Sequence, residues 1–176
     1  EDRSDLKTEN ELHNAMRLFQ EFTRLGIRQR GSGTWPIKEI THSINASYLL
    51  DGLRELRARK KTSLAAYEQL LLKAKVPLIV KISKERPTLI VTEFVTGIVE
   101  PLREALQEEG LKIGIYTGAN KLPTFSGYKD SLEEFKDGKT DVLIGSGDCI
   151  GTGIDGLQDR CHQMIYATLP WTEGDN

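Results

Sequence analysis

Residues 141–171 read DVLIGSGDCIGTGIDGLQDRCHQMIYATLPW and contain two short apolar runs on either side of a glycine-rich turn. The runs, residues 141–144 and 163–166, are too short for typical helices and are rich in apolar side chains, as buried strands are. Two similar runs lie upstream, at residues 88–91 after Pro87 and at residues 112–116. The sequence therefore predicts four strands in its second half.

Helical patterns separate these strands. Apolar residues at helical spacing predict one helix over residues 98–109, which Gly110 closes, and another over residues 131–135. Strands that alternate with helices indicate βαβ units and a mainly parallel sheet. The expected fold class is therefore α/β, an open parallel sheet with flanking helices.

The first half of the chain has a different hydrophobic pattern. Helical periodicity predicts helices over residues 5–25, 46–59 and 63–75. Residues 78–82 follow Pro77 and fit either a helix or a strand, with the helix favoured. We therefore divide the chain into residues 1–85, a helical preamble or extension of the second unit, and residues 86–176, an α/β lobe.

Composition excludes several classes of protein. The chain has 176 residues and a formal net charge of -2, so any binding of nucleic acid must come from local groups. Cys149 and Cys161 form no metal-binding or disulfide pattern and indicate reduced thiols in the cytosol. No apolar run approaches the roughly 18 residues that a membrane span needs, and no signal peptide opens the chain, so no membrane partner is expected.

Small and hydroxylated residues follow each predicted strand. Thr92, Thr117 and Ser146 stand at the ends of the first three strands, and Thr168 follows the fourth. In an open parallel sheet the carboxyl ends of the strands lie at one edge, where ligands bind. Hydroxyls and closely approaching backbone N–H groups suit a phosphate ligand. The alternative for each loop is that glycine and threonine only form the turn.

Taken in order, these segments resemble the motifs of the superfamily-two helicases, particularly the Swi/Snf-type translocases. Residues 151–155, GTGID, resemble the end of motif V, and residues 87–94, PTLIVTEF, resemble motif IV. Residues 115–121, IYTGANK, are similar to the strand-Thr-Gly segment that touches the nucleic-acid backbone in that family. Pro170 and Trp171 match the approach to motif VI. The resemblance covers about half of the chain, from Thr88 onwards, with motif order and spacing kept.

The resemblance implies a C-terminal RecA-like lobe and assigns roles to individual residues. The residues expected to contact the nucleic-acid backbone are Thr92, Thr117, Gly118 and Ser146. Those expected to face the bound nucleotide are Gly153 and Asp155. Many family members carry a second hydroxyl where this chain has Gly147. Asp155 has an alternative reading as the cap of the next turn.

Other elements of the family's pattern are missing from these 176 residues. There is no Gly-x-x-x-x-Gly-Lys-Ser/Thr loop and no DExx box, and motif VI, with its arginine finger, would begin beyond Asn176. ATP with Mg²⁺ is therefore expected to bind mainly to an N-terminal RecA-like lobe outside this sequence. We expect this piece alone to be inactive, and we assign no catalytic residue and no metal ligand within it.

The expected function is that of a second motor lobe in a nucleic-acid-dependent ATPase, a helicase or translocase. Its expected partners are nucleic acid, with DNA favoured over RNA, and the first lobe of the same protein. The expected location is the cytoplasm (nucleoid) of a prokaryote or the nucleus of a eukaryote. Two alternatives stay open: a nucleotide-sugar-binding Rossmann domain of a glycosyltransferase, and a non-catalytic helicase-like module.

Overall fold

The computed structural model describes residues 27–28, 40–59, 63–151 and 154–168. The strands within this part are β1 (Ile27–Arg28), β2 (Thr88–Thr92), β3 (Ile113–Tyr116), β4 (Val142–Ser146) and β5 (Gln163–Tyr166). The α-helices are α1 (Leu50–Ala58), α2 (Leu64–Ser83), α3 (Val99–Glu108), α4 (Ser131–Lys136) and α5 (Gly147–Ile150). Two short 3-10 helices, η1 (Ser47–Leu49) and η2 (Leu157–Asp159), accompany them.

The strands form one sheet in the order β1-β5-β2-β4-β3. Strands β2 to β5 are all parallel, and β1 pairs antiparallel with β5 at the edge. Because β4 lies between β2 and β3, each connection crosses over a face of the sheet, and every parallel strand ends at the same edge. The predicted α/β fold, an open parallel sheet with flanking helices of the RecA-like type, is confirmed, as are the four strands of the second half.

One face of the sheet packs against α2 and α3. Alternate strand residues point to opposite faces, so Ile90 of β2 faces these helices while its two neighbours face away. The buried residues of this core come from both helices, the strands and the segments that follow them: Leu72, Ile79, Ile82, Ile90, Ile98, Val99, Leu102, Leu106, Ile113, Val142, Ile144, Ile165 and Ala167. Burial of these apolar side chains stabilises the sheet, and the sheet holds the strand ends in place.

A second, smaller core covers the opposite face. Its buried members are Leu89, Val91, Leu132, Phe135, Leu143 and Cys161, packed beneath α4 and the segment around η2. Both faces of β2 are therefore buried, which explains why its sequence is an uninterrupted apolar run and not an alternating one.

Helix α2 is one continuous helix, although the sequence suggested a helix over residues 63–75 and a separate apolar segment over residues 78–82. It begins after Ser63, whose side chain accepts a hydrogen bond from the backbone N–H of Ala66, and it continues through Pro77 to Ser83. Pro77 lies on the exposed side of the helix, so the carbonyl that it leaves unpaired can bind water. The helical interpretation of residues 78–82 is confirmed.

Helix α2 is also tied directly to the sheet. The side-chain amide of Gln163 donates to the Ile82 carbonyl at 3.0 Å and to Thr88 Oγ1 at 2.8 Å. The proposed division of the chain at residue 86 stays a prediction, and so does the helix over residues 5–25, which lies outside the described residues. No helix in the described part of the chain is long and apolar enough to cross a membrane.

Candidate functional site

Three of the residues predicted to contact nucleic acid lie at the carboxyl edge of the sheet. Thr92 pairs with Ser146 across β2 and β4, and Tyr116 pairs with Gly145 across β3 and β4. Thr117, the next residue after Tyr116, therefore lies level with Ser146. The structure places Thr92, Ser146 and Thr117 side by side on three adjacent strands, as the sequence predicted.

Two threonines use their hydroxyls to hold the strand ends together. Thr92 Oγ1 donates to the Phe94 carbonyl at 2.8 Å and lies 3.0 Å from Thr168 Oγ1. Thr168 Oγ1 accepts the backbone N–H of Glu93 at 2.7 Å. Both threonines are buried. A phosphate contact by the Thr92 hydroxyl, which the sequence predicted, would have to break this internal network.

Thr117 forms a tight turn that leaves Gly118 open. The backbone N–H of Thr117 donates to the Asn120 carbonyl at 2.8 Å, and Asn120 N donates to Thr117 Oγ1 at 3.1 Å. Gly118 is exposed, and a Cβ added there would meet no atom within 4 Å. Thr117 thus acts on the shape of the turn, whereas Gly118 presents backbone to solvent.

Ser146 differs from the threonines at this edge. The residue as a whole is 8% exposed, against 0% for Thr92 and 1% for Thr117 and Thr168. Its hydroxyl makes no hydrogen bond to any other residue that the structure describes. A hydroxyl without an internal partner beside an exposed backbone turn is free to donate to a ligand oxygen.

A lysine and a glutamate also lie at the carboxyl edge of the sheet. Lys121 is exposed, and its ammonium group sits 4.7 Å from the centroid of the Tyr116 ring, which holds it near the end of β3. The carboxylate of Glu93 lies against Gly147, directly after Ser146. Neither residue was predicted as a contact from the sequence, although each follows a predicted strand-end residue closely in the chain.

The predicted nucleotide-facing residues are not joined to these strand ends. Gly153 lies outside the described residues. Asp155 is exposed, and its backbone carbonyl accepts a hydrogen bond from Lys136, the last residue of α4. Within the described residues, no hydrogen bond links Asp155 to the strand-end residues, and its carboxylate does not cap η2, whose N-cap is Gly156.

The chemistry of Asp155 nevertheless fits one part of a nucleotide. An exposed carboxylate can accept hydrogen bonds from the two hydroxyls of a ribose. In the described part of the chain, no group of three or more His, Cys, Asp or Glu side chains is arranged to hold a metal ion. The exposed carboxylate of Asp155 is therefore chemically suited to a ribose.

A buried ion pair that was not predicted from the sequence supports the carboxyl edge. Lys75 Nζ lies 2.9 Å from Glu68 Oε2 and donates to the carbonyl of Ala167, just after β5, at 2.9 Å. Both side chains of the pair are almost fully buried. Burial lowers the pKa of Lys75, and the neighbouring Glu68 carboxylate opposes that shift. The signal was present: Glu68, Leu71, Leu72 and Lys75 follow the helical spacing of a buried stripe.

Comparisons with known proteins return no relative. No protein-family model matches the chain. No curated protein matches it, and no solved structure does. The resemblance to helicases therefore stays a prediction from the ordered motifs of the sequence.

Proposed function

We propose that this chain is the second motor lobe of an ATP-dependent helicase or translocase and grips the phosphate backbone of nucleic acid at the carboxyl edge of its sheet. The observation that carries the proposal is the placement of Thr117, Gly118 and Ser146 on adjacent strand ends. They are three of the four residues that the motif resemblance marks for backbone contact, the fourth being Thr92.

The chemistry of this edge supports a phosphate ligand. Ser146 supplies a hydroxyl donor, the exposed turn at Gly118 supplies accessible backbone, and Lys121 supplies a positive charge nearby. These contacts give no base specificity, because the hydroxyl, backbone and ammonium groups bind phosphate oxygens and not the edges of the bases. With a formal net charge of -2, the isolated chain should bind at the weak end of non-specific affinity, with a Kd of roughly 10⁻⁴ M at physiological salt.

The nucleotide belongs to a second surface in this proposal. Asp155 accepts hydrogen bonds from the ribose, while the first lobe holds most of the ATP and its Mg²⁺. Bound ATP supplies a phosphoryl group whose transfer to water releases the energy for movement. The role of this lobe is to hold the nucleic acid while the two lobes close and open around the nucleotide. We favour DNA as the track.

The test is equilibrium binding of a fluorescein-labelled DNA duplex and single strand, followed by anisotropy at low salt. Ser146→Ala removes one hydroxyl that donates to a charged group, so we expect roughly tenfold weaker binding. Lys121→Ala should weaken binding several-fold and lower the slope of log K against log salt by about 1.

Lys139→Ala is the matched control. Lys139 is an exposed lysine that precedes β4 at the opposite edge of the sheet, and its loss should leave the salt slope unchanged. Equal effects of the two lysine variants would mean that the binding surface is not at the carboxyl edge, and the proposal would then be wrong.

A further inference from the structure

The loop between β3 and α4, residues 117–130, is long, and it carries two of the groups proposed to contact phosphate. Connections between strands and helices usually have about 2–6 residues, and much longer ones are often functional. Gly118 and Lys121 both lie in this loop. No helix or strand lies within it, so its shape depends on hydrogen bonds to neighbouring elements.

The part of this loop from Lys121 to Phe125 is held at both ends by α4. The carbonyl of Lys121 accepts the backbone N–H of Ser131, the first residue of the helix, at 3.0 Å. The backbone N–H of Phe125 donates to the side chain of Glu134, at Oε1. The backbone that carries the Lys121 side chain is therefore ordered before any ligand binds.

Glu134 holds the loop from a fully buried position. Its second carboxylate oxygen, Oε2, has no hydrogen-bond partner among the residues that the structure describes. Burial of a carboxylate costs free energy that burial of an apolar side chain would not. What the carboxylate provides in return is a charge-assisted hydrogen bond to the backbone of the loop. The contact with Phe125 is therefore the feature that distinguishes Glu134 from an ordinary core residue.

We propose that Glu134 is a positioning residue for the phosphate contact at Lys121. This inference rests on the proposed function and concerns a residue that acts on the same site without touching the ligand. By holding Phe125, Glu134 keeps the segment that begins at Lys121 in one conformation. The contact of the Lys121 ammonium group with the Tyr116 ring, at 4.7 Å, then holds the charge near the end of β3. A loop that is ordered in advance loses less conformational entropy on binding.

The binding test compares two substitutions that remove the same charge. Glu134→Ala removes the acceptor of the Phe125 N–H, whereas Glu134→Gln keeps a carbonyl oxygen that can accept it. We expect Glu134→Ala to weaken binding of a labelled DNA strand roughly two- to tenfold, because the loop must then be ordered on binding. Glu134→Gln should recover most of that affinity. Loss of a negative charge alone would tighten binding of a polyanion, and equal affinities of the two variants would overturn the proposal.

The dependence on Lys121 separates positioning from general damage to the fold. In a Lys121→Ala background, Glu134→Ala should weaken binding little further, because the two residues act on one contact. The same loss in both backgrounds would show that Glu134 does not act through Lys121, and the proposal would be wrong. All affinities are measured at a temperature at which circular dichroism shows that the variants are folded.

Amide hydrogen exchange of the wild-type chain tests the hydrogen bond without any substitution. The Phe125 N–H should exchange more slowly than the same amide in an unstructured peptide, because its hydrogen bond to Glu134 must open first. Exchange at the unstructured rate would show that Glu134 does not hold the loop. This result would overturn the proposal even if Glu134→Ala failed to fold.

The two proposals fail in different ways. If Ser146→Ala and Lys121→Ala weaken DNA binding and Glu134→Ala does not, the positioning role is wrong and the phosphate grip stands. If neither Ser146→Ala nor Lys121→Ala weakens binding, the proposed function is wrong. The positioning role then falls with it, whatever the exchange rate of the Phe125 amide.

Discussion

At the amino edge of the sheet, polar side chains hydrogen-bond to carbonyls of neighbouring elements, whereas at the carboxyl edge one hydroxyl and one turn remain open. Gln163 reaches Ile82 and Thr88, and Arg160 donates to the carbonyls of Phe135 at 3.1 Å and Thr140 at 3.3 Å. At the other edge, the hydroxyl of Ser146 has no partner among the described residues.

This difference separates two uses of polar residues in one fold. Polar groups with buried internal partners stabilise the structure, because breaking such a bond leaves a desolvated group unpaired. A polar group without an internal partner is available to a ligand only where it is accessible, and it then contributes little to stability. The Thr140 hydroxyl near the amino edge also has no partner in the described part of the chain, but it is fully buried. Substitutions at the amino edge should therefore change stability and not binding, and substitutions at Ser146 should do the reverse.

The largest effect is expected from the buried pair beneath the carboxyl edge, where structural residues come closest to the proposed site. Lys75→Met leaves Glu68 buried without a counter-ion and removes a hydrogen bond from Ala167. We expect the free energy of unfolding to fall by about 3–5 kcal/mol, measured by urea denaturation. Lys73→Ala, at an exposed position on the same helix, should cost less than about 0.5 kcal/mol.

The double variant Glu68→Leu, Lys75→Met removes both charges and should recover most of that loss, because a buried ion pair is often replaceable by apolar side chains. If the single Lys75 variant proved as stable as the wild type, the pair would not support the strand end, and this part of the comparison would fail.

An intermediate effect is expected at the amino edge. Gln163→Leu removes the two hydrogen bonds that the buried amide donates, to Thr88 Oγ1 and to the Ile82 carbonyl, which keeps the backbone N–H of Glu85. The free energy of unfolding should fall by about 1–3 kcal/mol, while the affinity for labelled DNA should stay at the wild-type value under conditions where the variant is folded. Ser146→Ala is the counterpart, with a change in stability within about 0.5 kcal/mol. A folded Gln163→Leu variant with weakened DNA binding would erase the distinction between the edges.

The smallest effect concerns the two cysteines, one near each edge. Burial raises the pKa of the Cys161 thiol, so less of it is in the reactive thiolate form at a given pH. Cys149 lies in α5, after the carboxyl edge, and is half-buried. Mass spectrometry after iodoacetamide treatment at pH 8 should find Cys149 alkylated before Cys161, and the rate at Cys161 should climb only as the pH rises toward its raised pKa. The reverse order would indicate that the amino edge opens readily.

Much of the fold was predictable because parallel strands buried on both faces are plain apolar runs. Strands β2 to β5 and helices α3 and α4 follow from that signal and from helical spacing, whereas α5, a helix of four residues directly after β4, was not predicted. The edge strand β1 is two residues long, too short to carry a period of its own. Pro77 obscured the length of α2, since a proline interrupts the helical pattern even where the exposed side of a helix tolerates it.

The candidate site was predictable in its position and not in its details. Parallel topology alone places Thr92, Thr117 and Ser146 at one edge. Which of these hydroxyls has an internal partner depends on contacts between distant segments, such as Thr92 with Thr168. The contact of Glu93 with Gly147 likewise depends on the pairing register of β2 with β4, which no local pattern encodes.

The central claim is that the carboxyl edge of the sheet binds the phosphate backbone, and amide NMR shifts during titration with a short single-stranded DNA test it most directly. The account predicts that the largest shift changes fall on Glu93, Gly118 and Gly147. Changes centred on the amino edge, around Lys139 and Arg160, would contradict it.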